Sequence, residues 1–146
     1  MSPNTSQIVE ILLIEDDPGD IDLTREVLDR SKISINLTAF EEGEEALAYL
    51  NKEGEYADAQ LPDLILLDLN LPGLSGRDIL EEIRSNQNIN HIPVVVLTTS
   101  DADEDILKTY KLGANCYVTK PVGLKEFEKI VSTIENFWFS IVKLPR

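Results

Sequence analysis

The stretch Leu64-Ile65-Leu66-Leu67-Asp68-Leu69-Asn70-Leu71-Pro72-Gly73 constrains this chain more than any other. Its apolar run has no polar face, so it must be buried on both sides, as strands are in sheets covered by helices above and below. Periodicity alone leaves a buried helix open; Pro62 in front and Pro72-Gly73 behind favour the strand. In open α/β sheets ligands bind beyond the carboxyl ends of the strands, so Asp68, at the exit, is placed for chemistry. The alternative is structural: Asp68 caps the helix that follows.

The same design recurs along the chain. Val9–Ile14 is a short apolar run that ends in Glu15-Asp16-Asp17-Pro18, Val94-Val95-Val96-Leu97 ends in Thr98-Thr99-Ser100, and Cys116–Thr119 ends at Lys120-Pro121. Ile35–Phe40 alternates Leu37 and Ala39 against Asn36 and Thr38. Helical patterns separate these runs. Pro18 opens one with Leu23, Val27 and Leu28 on one face and Asp22, Arg25, Glu26 and Asp29 outward, ending near Ser31. Glu42-Gly43 leads into one containing Ala46, Leu47 and Leu50; Ser75 starts one with Ile79, Leu80 and Ile83 inward, fading at Asn86. Asp101 with Glu104 is a capping-box pattern for the helix of Ile106, Leu107 and Tyr110, which Gly113 terminates. A final helix from about Leu124 carries Phe127, Ile130, Val131, Ile134, Phe137, Trp138 and Ile141 on one stripe. Residues 51–62 are polar and aperiodic and read as a surface loop. Strands alternating with helices predict a parallel sheet with helices on both faces.

At 146 residues, with no linker composition, the chain is expected to be one domain, 1–146, without a separate output domain. Nothing approaches the ~18 apolar residues of a membrane span, and residues 1–7 lack an apolar signal region, so a cytoplasmic location is expected. Cys116 is the one cysteine, which excludes an internal disulfide and reads as a small buried hydrophobe; His91, before Pro93, reads as a solvated loop residue. A net charge of -14 repels phosphate backbones, so direct DNA binding is not expected.

Parallel strands put their carboxyl ends on one edge, so Glu15-Asp16, Asp68, Thr98 and Lys120 converge. Each alone is weak evidence, but four such exits in order are not. Clustered carboxylates repel one another and recruit a hard divalent cation; Mg²⁺ takes one or two carboxylates and leaves room for phosphate oxygens. Lys120 supplies a point charge, Thr98 a hydroxyl, and Asp68 a carboxylate nucleophile for a phosphoryl group.

These residues resemble the receiver domain of two-component response regulators. The matching motifs are Ile-Glu-Asp-Asp at 14–17, Leu-Leu-Asp-Leu-Asn-Leu-Pro-Gly-Leu-Ser-Gly at 66–76, Leu-Thr-Thr-Ser at 97–100 and Tyr-Val-Thr-Lys-Pro at 117–121. The resemblance covers essentially the whole chain. It implies a flavodoxin-like (βα)5 three-layer sandwich with strand order 2-1-3-4-5, an order the receiver family itself exemplifies. It also implies that Asp68 accepts phosphate from a sensor histidine kinase, and that Asp16, Asp68 and the Asn70 backbone carbonyl hold Mg²⁺ with Glu15 acting through water. Thr98 and Lys120 would grip the phosphoryl oxygens, and Tyr117 would be an aromatic switch that follows Thr98. The resemblance further suggests a cis bond at Lys120-Pro121, and Ser100 lies where it could affect water access to the acyl phosphate.

The long 51–62 connection and the overrun of the last helix resemble the small stand-alone regulators paired with cyanobacterial phytochrome histidine kinases. Residues 124–142 as helix would run roughly 28 Å, longer than so small a sheet needs. Phe137, Trp138, Phe139 and Ile141, within a tail of about 136–146, are therefore expected to form a homodimer surface, folding back on the same domain being the alternative. A haloacid-dehalogenase-type phosphohydrolase is the rival from another class, since it also uses a strand-end Asp with Thr, Lys and Mg²⁺. Its Asp-x-Asp general acid is replaced here by Asn70, so turnover is expected to be poor. A purely structural receiver-like module is a second rival, but it has no need of a complete pocket.

Overall fold

Five strands, Val9–Ile14 (β1), Ile35–Phe40 (β2), Leu64–Asp68 (β3), Val94–Thr98 (β4) and Cys116–Thr119 (β5), form one parallel sheet in the order β2-β1-β3-β4-β5 in the computed structural model of the chain. The structure describes residues 8–30, 34–71, 73–98, 110–114 and 116–119, with Thr98 and residues 116–119 described by their place in the strands. The order is the flavodoxin-like one expected. From β1 the chain steps to β2 on one side and then crosses to β3 on the other, so a switch point opens between β1 and β3, where such sheets place their ligands.

Side chains alternate across each strand, and here both faces are buried. In β1 and β3, Leu12, Ile14, Ile65 and Leu67 join one core, whereas Val9, Ile11, Leu13, Leu64 and Leu66 join the other. Helices Gly43–Leu50 (α2) and Gly76–Ser85 (α3) cover the first face through Ala46, Leu50, Ile79, Leu80 and Ile83. Full burial of each large aliphatic side chain contributes about 1.5–3 kcal/mol. Helix Pro18–Asp29 (α1) covers the second face with Ile21, Val27 and Leu28.

One expectation is extended and one corrected. Besides Val27 and Leu28, the inward face of α1 includes Ile21 and Thr24, and Leu23 is half-buried against the same core. Thr24 can be buried because its hydroxyl donates to the carbonyl of Asp20 at 2.8 Å, a bond within the preceding turn that no hydropathy pattern records. Residues 51–62 are not a plain surface loop. They contain a one-turn 3-10 helix, Gly54–Tyr56, and the Tyr56 ring packs 5.6 Å from Phe40 and 5.5 Å from Tyr49, themselves 5.3 Å apart. The Tyr56 hydroxyl donates to Glu45 Oε1 at 2.7 Å, and this hydrogen bond raises the phenol's pKa. The connection is thus an aromatic cap over the end of β2.

His91 is exposed, as expected, and Gly113 follows helical residues 110–111 with φ +107°. Among the described residues no helix is long and apolar enough to cross a membrane. Several expectations lie outside the described residues: the Asp101–Glu104 cap, Ser100, the Lys120-Pro121 bond, and the final helix with Phe137, Trp138, Phe139 and Ile141.

Candidate functional site

The site follows from register. Ile14 of β1 stands opposite Leu67 of β3, so the next residues along, Glu15 and Asp68, emerge side by side at the switch point. Glu15 is still tied to the sheet, since its N–H donates to Phe40 O at 3.0 Å. By alternation Glu15 continues the series Val9, Ile11, Leu13, and Asp68 the series Leu64, Leu66, so both belong to the α1 face.

Both carboxylates are deep: Glu15 is 3% and Asp68 6% exposed. Asp16 is half-buried beside them, and one carboxylate oxygen from each of the three lies within 4.8 Å of the others. Asp17 serves the helix instead. Its Oδ1 accepts from Gly19 N at 2.8 Å, capping α1, with Pro18 at the first helical position. The sequence marks the helix start by Pro18, and the cap on Asp17 is found in the structure. Asp17 N in turn donates to Glu15 Oε2 at 3.3 Å, which ties the start of α1 to the cluster.

Asp68 is not a helix cap. Its Oδ1 accepts from the N–H of Asn70 at 2.9 Å, which fixes the carboxylate against its own loop, and the cap of α3 is Ser75, whose Oγ accepts from Asp78 N at 3.2 Å. The structural alternative for Asp68 is therefore excluded by where the hydrogen bonds go. Asn70 is exposed above it. Thr98 ends β4, one residue past Leu97, the partner of Asp68; Tyr117 lies in β5 opposite Val96, and Thr119 opposite Thr98. Lys120 lies outside the described residues.

The donor set fits a hard divalent cation. All three groups are carboxylates, with no soft ligand among them. Two oxygens on one Mg²⁺ at ~2.1 Å stand ~3–4 Å apart. A spread of up to 4.8 Å is compatible with the three carboxylates sharing one such ion.

The comparisons agree with this geometry. The family model of the response regulator receiver domain matches residues 11–132. Response regulator Rcp1 of Synechocystis sp. is 46% identical over 145 residues, 99% of each chain. The crystal structure of the phosphorylated cyanobacterial phytochrome response regulator RcpA superposes with a TM-score of 0.93 at 47% identity, covering 96% of this chain and 100% of that one. The Mn²⁺-bound form of Rcp1 gives 0.90 at 46% identity, covering 94% and 99%. The phosphohydrolase alternative finds no support among these relatives. The chain belongs to the response regulator receiver domain family and is a signalling protein of the two-component type, homologous to phytochrome response regulators.

Proposed function

We propose that Asp68 accepts a phosphoryl group from the phosphohistidine of a phytochrome-type sensor histidine kinase and that the modified domain relays the signal by a change of conformation. The carrying observation is the convergence of Glu15, Asp16 and Asp68 within 4.8 Å at the β1/β3 switch point. An Asp68 oxygen attacks phosphorus, a P–O bond forms as the P–N bond breaks, and the imidazole leaves with the electron pair and takes up a proton. The hydrogen bond from Asn70 N to Oδ1 orients the carboxylate for this attack. A divalent cation, Mg²⁺ in this reading, would be held by Asp16, Asp68 and the Asn70 carbonyl, with Glu15 at one remove, and would offset charge on the phosphoryl oxygens. On this reading Thr98, the last residue of β4, and Lys120, the residue after Thr119 in sequence, would donate to those oxygens, and Tyr117 would respond to the movement of Thr98.

The kinase class is supported by 46% identity to Rcp1 and by the likeness to RcpA, a phytochrome response regulator. On the same reading the chain is one receiver domain of the cytoplasm that catalyses only its own phosphorylation and slow dephosphorylation, does not bind DNA, and pairs with a second copy through Phe137, Trp138, Phe139 and Ile141.

Phosphorylated candidate kinases mixed with the wild type and with Asp68→Asn provide the test. One base-labile label should appear on the wild type and none on the variant, with the fold intact by circular dichroism. Undiminished labelling of folded Asp68→Asn sinks the assignment.

A further inference from the structure

Helix α3 begins on a glycine, a poor helix former, and nothing in the backbone requires one there: among the described residues the positive-φ glycines are Gly54, Gly73 and Gly113, and Gly76 is not among them. The reason is the close approach of Gly76 to the residue that carries the carboxylate. The loop after β3 folds back so that Gly76 N donates to Leu69 O at 3.2 Å. A Cβ built on Gly76 would stand 2.5 Å from Asp68 O, 2.5 Å from Leu69 Cα and 3.1 Å from Asp68 C.

All three are backbone atoms, so no rotamer change relieves the clash. Ordinary contact between such atoms lies at ~3.5–4.0 Å, so α3 and the end of β3 would have to part by about 1 Å. Asp68 is joined to that backbone and to Asn70 N, so its carboxylate and the Asn70 carbonyl would move with it.

We propose that Gly76 is a positioning residue for phosphoryl transfer: by letting α3 seat directly on the Asp68 carbonyl, it sets the placement of the acceptor carboxylate and of the cation ligands beside it. This rests on the reading of Asp68 as phosphoacceptor. Gly43 supplies the control, because a Cβ there would meet Ile79 Cδ1 and Cγ1 and come within 3.4 Å of Leu74 O, with no atom of Asp68 or Leu69 among its three nearest neighbours.

The experiment compares wild type, Gly76→Ala and Gly43→Ala as full chains, reading three quantities: unfolding midpoint, Mg²⁺ affinity by calorimetry, and the rate of Asp68 labelling by phosphoramidate. A displacement near 1 Å slows a positioned reaction by up to about a hundredfold. Gly76→Ala should therefore label at least tenfold more slowly and bind Mg²⁺ several-fold more weakly, while Gly43→Ala keeps wild-type values of both even if its midpoint falls. Three results overturn the proposal: wild-type labelling and affinity in Gly76→Ala, equal losses in both variants, or a Gly76→Ala chain that does not fold, which would assign the glycine to the fold alone. A wild type that takes no label at Asp68 defeats the phosphoacceptor reading instead, and Mg²⁺ affinity then decides the placement of the ligands.

Discussion

Arg84 offers the sharpest stability prediction in this fold. It lies at the end of α3, and its guanidinium donates to three backbone carbonyls on two segments: Nε to Gly113 at 2.8 Å, and Nη1 to Asn90 and Ile92 of the α3–β4 connection, each at 2.9 Å. Ile92 leads into β4, and Gly113 lies in the turn that leads into β5, so one side chain sets the start of one strand relative to the next. Burial lowers the Arg84 pKa, a desolvation cost that the three bonds must offset. Hydrogen bonds to a charged group contribute about 1.5–3 kcal/mol each when buried. Taking the lower value for the two part-buried bonds, and little for the exposed one to Asn90, Arg84→Met should lose about 3 kcal/mol. Arg84→Lys keeps the charge but not the planar fork, and should lose about 1–2 kcal/mol. Urea unfolding at pH 7 gives the numbers, and amide exchange gives the location: protection should fall at residues 112–119 and hold in β1. A loss under about 1 kcal/mol in Arg84→Met, or uniform loss of protection, refutes the reasoning.

Two further outcomes are expected. Mg²⁺ at about a hundredfold over its Kd should stabilise the fold by ~2.7 kcal/mol, a rise of roughly 10 °C in Tm for a chain of this length; a melting midpoint indifferent to Mg²⁺ contradicts the cation site. Sedimentation should find the intact chain dimeric at micromolar concentration and a chain ending at Glu135 monomeric, and either a monomeric intact chain or an undiminished dimer after truncation rules out the tail as the interface.

Much of this molecule was legible because its strands are short apolar runs that end abruptly. Val9–Ile14, Leu64–Asp68 and Val94–Thr98 announce themselves by their breaks, and the breaks carry Glu15, Asp68 and Thr98, so strand ends and candidate site residues were read together. What stayed hidden depends on hydrogen bonds and rings rather than on hydropathy. Thr24 reads as polar but is buried because its hydroxyl is satisfied locally. Tyr56 sits in a polar stretch, and only the fold brings Phe40 and Tyr49 against it. Gly76 reads only as part of a helix start, and its close approach to Asp68 belongs to the tertiary structure.

The same apolar runs leave one question that the other end of the sheet answers. A strand buried on both faces reads the same in either phase, so the hydrophobic pattern of Leu64–Leu67 specifies its register weakly, and a slip by one residue would turn Asp68 to the α2/α3 face and put a leucine beside Glu15. The register is pinned by polar bonds below the strand. Asp63 Oδ2 accepts from Glu10 N at 2.9 Å, and Asp63 N donates to Glu10 O at 2.7 Å, a two-way clamp between the residues that precede the first β1–β3 pair, Ile11 and Leu64. Glu10 is held from the other side, since its Oε1 accepts from Asn36 Nδ2 of β2 at 2.8 Å. From that clamp the strands run in step, Ile11 with Leu64 through Ile14 with Leu67, and the next position brings Glu15 to Asp68. The geometry of the acidic site is thus supported five residues away, by a carboxylate whose bond to Glu10 N favours one alignment of two otherwise interchangeable apolar strands.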